Sequence, residues 1–112
     1  MSTAVRHHTS DGRVDVVFLH GWLMGPYMWE AQTAALRRVA RCHALAQPGH
    51  GGAPLNPEAS MADWAEWLID HIDARGIDRA VFVGHAMGGL LVQELWRRHP
   101  DRVSGLALVS IT

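Results

Sequence analysis

Four short apolar runs alternate along this chain with three stretches of helical period. The first run, Val14-Asp15-Val16-Val17-Phe18-Leu19, is β-branched and almost continuously apolar, as in a strand covered on both faces of a parallel sheet. From Gly25-Pro26 onward, Met28, Trp29, Ala35, Leu36 and Val39 recur near helical spacing. Glu30, Arg37 and Arg38 take the other face, which predicts a helix to about Ala40 with Pro26 in its first turn. Cys42-His43-Ala44-Leu45-Ala46 reads as a second strand, and residues 47–58, rich in glycine and proline, read as a loop. Met61, Trp64, Ala65, Leu68, Ile69 and Ile72 then share one helix face. Ser60 and Asp63 form a short-armed capping box before it, and Gly76 closes it. Arg79-Ala80-Val81-Phe82-Val83 predicts a third strand. The helix from Met87 to about His99, with Met87, Leu90, Leu91 and Leu95 as its apolar stripe, is stopped by Pro100. Val103–Val109 is the fourth strand, and Ala4-Val5-Arg6-His7-His8 a short additional one near the start.

Strands separated by single helices predict an α/β fold, a three-layer sandwich around a mainly parallel sheet with right-handed crossovers. At 112 residues the whole chain, 1–112, is one domain. Ten arginines and no lysine against eleven acidic residues, with no run of like charge, give no footprint for nucleic acid or an anionic membrane. The single cysteine, Cys42, allows no disulfide within the chain, and no apolar run approaches the length of a membrane span or a secretory leader, so a cytoplasmic setting is expected. His7 and His8 are adjacent, a spacing that does not bring two imidazoles onto one face, and no metal or cofactor is expected.

The chemistry centres on Val81-Phe82-Val83-Gly84-His85-Ala86-Met87-Gly88-Gly89, a strand, a glycine-rich corner and a helix start. Gly84-x-Ala86-x-Gly88 resembles the nucleophile elbow Gly-x-Ser-x-Gly of the α/β-hydrolase superfamily, with alanine where the family has its serine. Two further segments strengthen the resemblance. His20-Gly21-Trp22, after the first strand, looks like the family's oxyanion loop. Gly49-His50-Gly51, after the second, looks like its Asp-x-x-Gly-x-Gly-x-Ser segment, with Ala46 and Ala53 at the Asp and Ser positions. The resemblance covers residues 14–112 and corresponds to the central strands of the hydrolase sheet.

By that resemblance, Ala86 holds the nucleophile position, and the N–H groups of Trp22 and Met87 are the oxyanion donors. In acyl transfer such donors stabilise the oxygen of the attacked carbonyl by several kcal/mol. The implied function is acyl transfer from a small ester-like or carbonyl substrate to a serine. The chain as written is expected to be inactive, with its acid and histidine segments beyond Thr112. Two alternatives stand beside this one: a natural non-catalytic binding fragment, and a cofactor-independent oxygenase or lyase of the same fold. His20 is expected to brace the oxyanion loop and His85 to pack beside it. His99 and Asp101 are expected at the opposite end of the sheet. Trp29, Trp64, Trp67 and Trp96 read as core or core-edge residues of helices, and Trp22 as a pocket residue. The family's strand order places Val14–Leu19 and residues 80–83 inside, with residues 42–46 and Val103–Val109 outside. The last of these is an uncharged edge, expected to pair with a second copy or with a complementing C-terminal segment.

Overall fold

The computed structural model describes residues 13–21, 24–47 and 60–110. Four parallel strands form one sheet in the order β2-β1-β3-β4, where β1 is Val14–Leu19, β2 Ala40–Leu45, β3 Ala80–His85 and β4 Val103–Val109. This is the order that the family resemblance implies.

Alternation along β1 divides the core in two. Val17 and Leu19 point with Phe82 into the larger cluster, under helices α2 (Met61–Ala74) and α3 (Met87–Arg98), which contribute Leu68, Ile72, Leu91 and Leu95 among others. Val16 and Phe18 face the other side, where the Trp29 ring lies 5.1 Å from that of Phe18. Coverage on both faces is why β1 carries so few polar residues.

The β3 and β4 strands differ in length. Six residues of β3 run beside seven of β4, and the extra one, Ser104, is skipped between the pairs Ala80 with Val103 and Val81 with Gly105. The ladder then continues regularly to His85 with Val109.

Three expectations need correction. The helix predicted from Pro26 to about Ala40 is a 3-10 turn, Pro26–Trp29, followed by a short helix α1, Glu30–Leu36, and β2 begins at Ala40, before the predicted Cys42. Pairing of Ala40 with Val14 claims that residue for the sheet, and long-range pairing overrides the helical period. No residue of α1 is buried; Trp29, from the preceding turn, covers this face. On α3 the inward stripe is Gly88, Leu91, Val92 and Leu95, so Leu90 and Trp96 point outward, 48% and 53% exposed. Trp96 is therefore not a core residue. The strand expected at residues 4–8 lies outside the described residues.

Polar clamps fix the frame. The Ser60 hydroxyl accepts from the Asp63 N–H at 3.1 Å, and the Asp63 carboxylate accepts from the Ser60 N–H at 2.9 Å. That backbone bond, with the hydroxyl's, holds the Asp63 carboxyl below its ordinary range. Gly76 takes φ +73° just past α2, the conformation that favours glycine at a helix end. Arg102 ties the Asp73 carboxylate and the Asp78 and Ile77 carbonyls together beneath α2. At the start of β1, buried Asp15 accepts two bonds from Arg41, both 3.0 Å, and one from His43 at 3.0 Å. Burial pushes the Asp15 carboxyl up, but the Arg41 and His43 bonds outweigh it and hold the group below its usual value.

Candidate active site

At the far end of β3 the chain turns sharply. His85 is the last strand residue, Ala86 takes φ 52° and ψ −113°, and α3 starts at Met87. A non-glycine residue in the positive-φ region persists only where its surroundings dictate it. Here the Ala86 N–H donates to the Val109 carbonyl at 3.0 Å, and the Ala86 carbonyl accepts from Gly89 and Leu90 at 2.9 and 3.2 Å. Two glycines let the corner close. A Cβ on Gly84 would lie 2.5 Å from the Gly88 carbonyl oxygen, and one on Gly88 would press on the Leu19 and His20 carbonyls. Strand, helix and the end of β1 thus meet backbone to backbone, and glycine at positions 84 and 88 is a steric requirement of this corner.

Met87 opens α3, so its N–H belongs to the first turn, whose donors lack intrahelical partners and face the positive end of the helix dipole. Gly21 comes up beside the apex. A Cβ there would sit 2.7 Å from His85 Nδ1 and 3.4 Å from the Ala86 Cβ, so the His-Gly segment and the elbow adjoin, and His85 packs against Gly21 as expected. His85 Nδ1 is buried with no hydrogen-bond partner among the described residues. Trp22, the other expected oxyanion donor, lies outside the described residues, as do Gly49, His50, Gly51 and Ala53 of the glycine-rich loop.

His20 braces this corner. It is fully buried; its Nδ1 lies 2.9 Å from the Gly21 carbonyl, which can only accept, and its Nε2 lies 3.1 Å from the Gln47 N–H, which can only donate. Those partners dictate a neutral imidazole protonated on Nδ1. The residue that sequence reasoning passed over is Gln47. It too is fully buried, and its side-chain amide N–H donates to the His20 carbonyl. As the first residue of a polar loop it gave no local signal of burial.

Other titratable groups sit elsewhere. Asp101 lies in the turn Pro100–Arg102 leading into β4, at the end of the sheet opposite the elbow. Its neighbour His99 bonds Glu66 at 2.7 Å, and that bond, with a weaker one from Arg98, holds the Glu66 carboxyl below its ordinary range. Among the described residues no three metal-ligating side chains converge, and no helix is long and apolar enough to cross a membrane.

A parallel sheet with a glycine-flanked strand-to-helix corner at positive φ, adjoined by a His-Gly loop, is the frame of a hydrolase elbow. The chain belongs to the α/β-hydrolase fold family, whose model matches residues 16–112. It is 40% identical over 97 residues to the pimeloyl-[acyl-carrier protein] methyl ester esterase of Aromatoleum aromaticum, an alignment covering 87% of this chain and 37% of the relative. Among solved structures it is similar to a thermophilic esterase from Thermogutta terrifontis (TM-score 0.83, 28% identity, 88% of this chain and 37% of that one). It is also similar to a hydrolase from Pseudomonas aeruginosa PA01 (TM-score 0.85, 27% identity, 93% and 39%). The chain therefore spans about two fifths of the length of the proteins it matches.

Proposed function

We propose that this chain carries the carbonyl-binding part of an α/β-hydrolase site that takes small carboxylic esters, of the acyl methyl ester kind. The ester carbon sits over Ala86, and its oxygen turns toward the N–H groups of Met87 and Trp22. The observation that carries the reading is Ala86 itself, held at φ 52° at the apex between β3 and α3, with the Met87 N–H next in the chain. The methyl ester named for the relative supports the substrate class. In the family reaction a serine oxygen bonds to the acyl carbon and the alkoxide leaves. A methyl group has no lone pair to donate, so no acyl-enzyme forms, and the ester is bound and polarised with no covalent intermediate. Oxyanion donors and binding alone leave about 10³–10⁴-fold acceleration over water in well-formed sites.

The test pairs two measurements. Titrating ¹⁵N-labelled protein with methyl butanoate should shift the Met87 amide resonance, while p-nitrophenyl acetate should give no burst of p-nitrophenolate. A stoichiometric burst would overturn the reading, because it requires a nucleophile other than the Ala86 position.

A cytoplasmic setting and self-association belong to the same proposal. The free thiol of Cys42 supports the first. For the second, β4 is an edge among the described residues, and its Ala107, Leu108 and Val109 are exposed and uncharged.

A further inference from the structure

The last rung between β3 and β4 is the bond from the Ala86 N–H to the Val109 carbonyl, beside the pair His85 with Val109. The next residue on each chain is therefore Ala86 on one and Ser110 on the other. Covalent geometry around that 3.0 Å bond keeps their Cα atoms within about 7 Å of each other. Among the described residues these two are also the non-glycine residues at positive φ, 52° for Ala86 and 55° for Ser110. Because the Val109 carbonyl is anchored to the apex, the planar peptide into Ser110 is fixed, and the chain leaves the sheet by the rotation at Ser110 itself. Glycine would adopt that rotation freely, whereas serine brings strain and a hydroxyl to it.

The two flanks of the apex offer different chemistry. The strand order sets Ala86 between the end of β1 and the end of β4. On the β1 flank a Cβ on Gly21 would come 3.4 Å from the Ala86 Cβ, and one on Gly88 would press on the Leu19 and His20 carbonyls, so α3 starts over the end of β1. An ester whose carbonyl oxygen turns to the Met87 N–H therefore has that oxygen on the β1 flank. The carbonyl carbon is trigonal and planar, so its other two substituents point away from the oxygen, toward β4. One of them is hydrocarbon and the other is the alkoxy oxygen, which accepts a hydrogen bond. Ser110 carries a hydroxyl donor on that flank, exposed at the carboxyl edge of the sheet, where open α/β folds bind their ligands.

We propose that Ser110 is a specificity-determining residue of the ester site, its hydroxyl donating to the alkoxy oxygen on the flank of Ala86 opposite Gly21. This rests on the ester-binding reading of the same corner, and its test separates the two. The ketone 3-hexanone has the shape of methyl butanoate with a methylene in place of the alkoxy oxygen, and both should shift the Met87 amide of the ¹⁵N-labelled parent. In Ser110→Ala the dissociation constant for methyl butanoate should rise about three- to tenfold, the worth of one hydrogen bond, while that for 3-hexanone stays within about twofold. Ser110→Gly removes hydroxyl and strain together, and should show the same loss of ester binding with a higher denaturant midpoint. Equal weakening of both compounds in Ser110→Ala would make the residue a shaper of the turn and overturn the proposal. Unchanged ester binding in either variant would overturn it as well, because the ester then never meets the hydroxyl. If neither compound shifts the Met87 amide of the parent, the ester-binding reading fails and this proposal falls with it.

Discussion

The N–H of Ala86 donates to the carbonyl of Val109 at 3.0 Å, so the apex of the elbow is tied to the last residue of the neighbouring strand. This bond and the two bonds accepted by the Ala86 carbonyl hold an alanine where only glycine is unstrained. Ala86→Gly should therefore stabilise the chain by about 1 kcal/mol, seen as a higher denaturant midpoint at unchanged slope. A lower midpoint would show that the methyl group's packing outweighs the strain.

Ala86→Ser restores the oxygen but supplies no base. The ring nitrogens of His20 are taken by Gly21 and Gln47, and the Nδ1 of His85 is packed against Gly21. In the 112-residue chain, p-nitrophenyl acetate hydrolysis by Ala86→Ser should stay within about tenfold of the parent. In a chain extended to the relatives' length the same change should raise it by orders of magnitude. A competent esterase from the short chain would mean that a base lies within these 112 residues.

Removing the carboxylate at Asp15 leaves Arg41 and His43 without their shared partner. Asp15→Asn should cost about 2 kcal/mol in chemical denaturation at neutral pH. The pH dependence follows from the lowered folded-state pKa. Above the ordinary value of 3.8 the group is ionised folded and unfolded, and its pairing contributes in full. As pH falls below that value the unfolded chain takes up the proton first, and the contribution is lost on the way to the depressed folded value. The acid limb of the stability profile should accordingly be shallower in Asp15→Asn. An identical limb in both proteins would mean that other carboxylates govern acid unfolding.

Much of this was legible in the sequence, because the signals are local. Short apolar runs, the Ser60 and Asp63 cap, Gly76 and the Gly84-x-Ala86-x-Gly88 corner each act within a few residues, and the structure has all of them. The strand order followed from the family resemblance. What escaped depends on distant partners. Ala40 leaves a helical pattern because Val14 pairs with it. Trp96 faces outward because the sheet is met by Leu91, Val92 and Leu95, one helix face away. Gln47 is buried because His20 lies 27 residues earlier in the chain, a relation that no local window contains.

Self-association has its own measurement. Sedimentation velocity at micromolar concentration should show dimers or larger species that form through β4. Leu108→Lys, at an exposed position on that strand, should return the chain to monomer. A single monomeric parent with cooperative unfolding would mean that this edge is already covered.

The skipped Ser104 bears on that same strand. Val103 and Leu106 both enter the cluster beneath α3, although residues three apart on a regular strand point to opposite sides. The bulge takes up this mismatch as slack at the bottom of β4, which leaves Val109 level with His85 at the top and its carbonyl free to meet Ala86. Without Ser104 the remaining residues would still pair as they do now, whereas a residue added or lost between Gly105 and Val109 would carry a different carbonyl to the apex. The strand thus tolerates a change of length at its entrance and none near its exit.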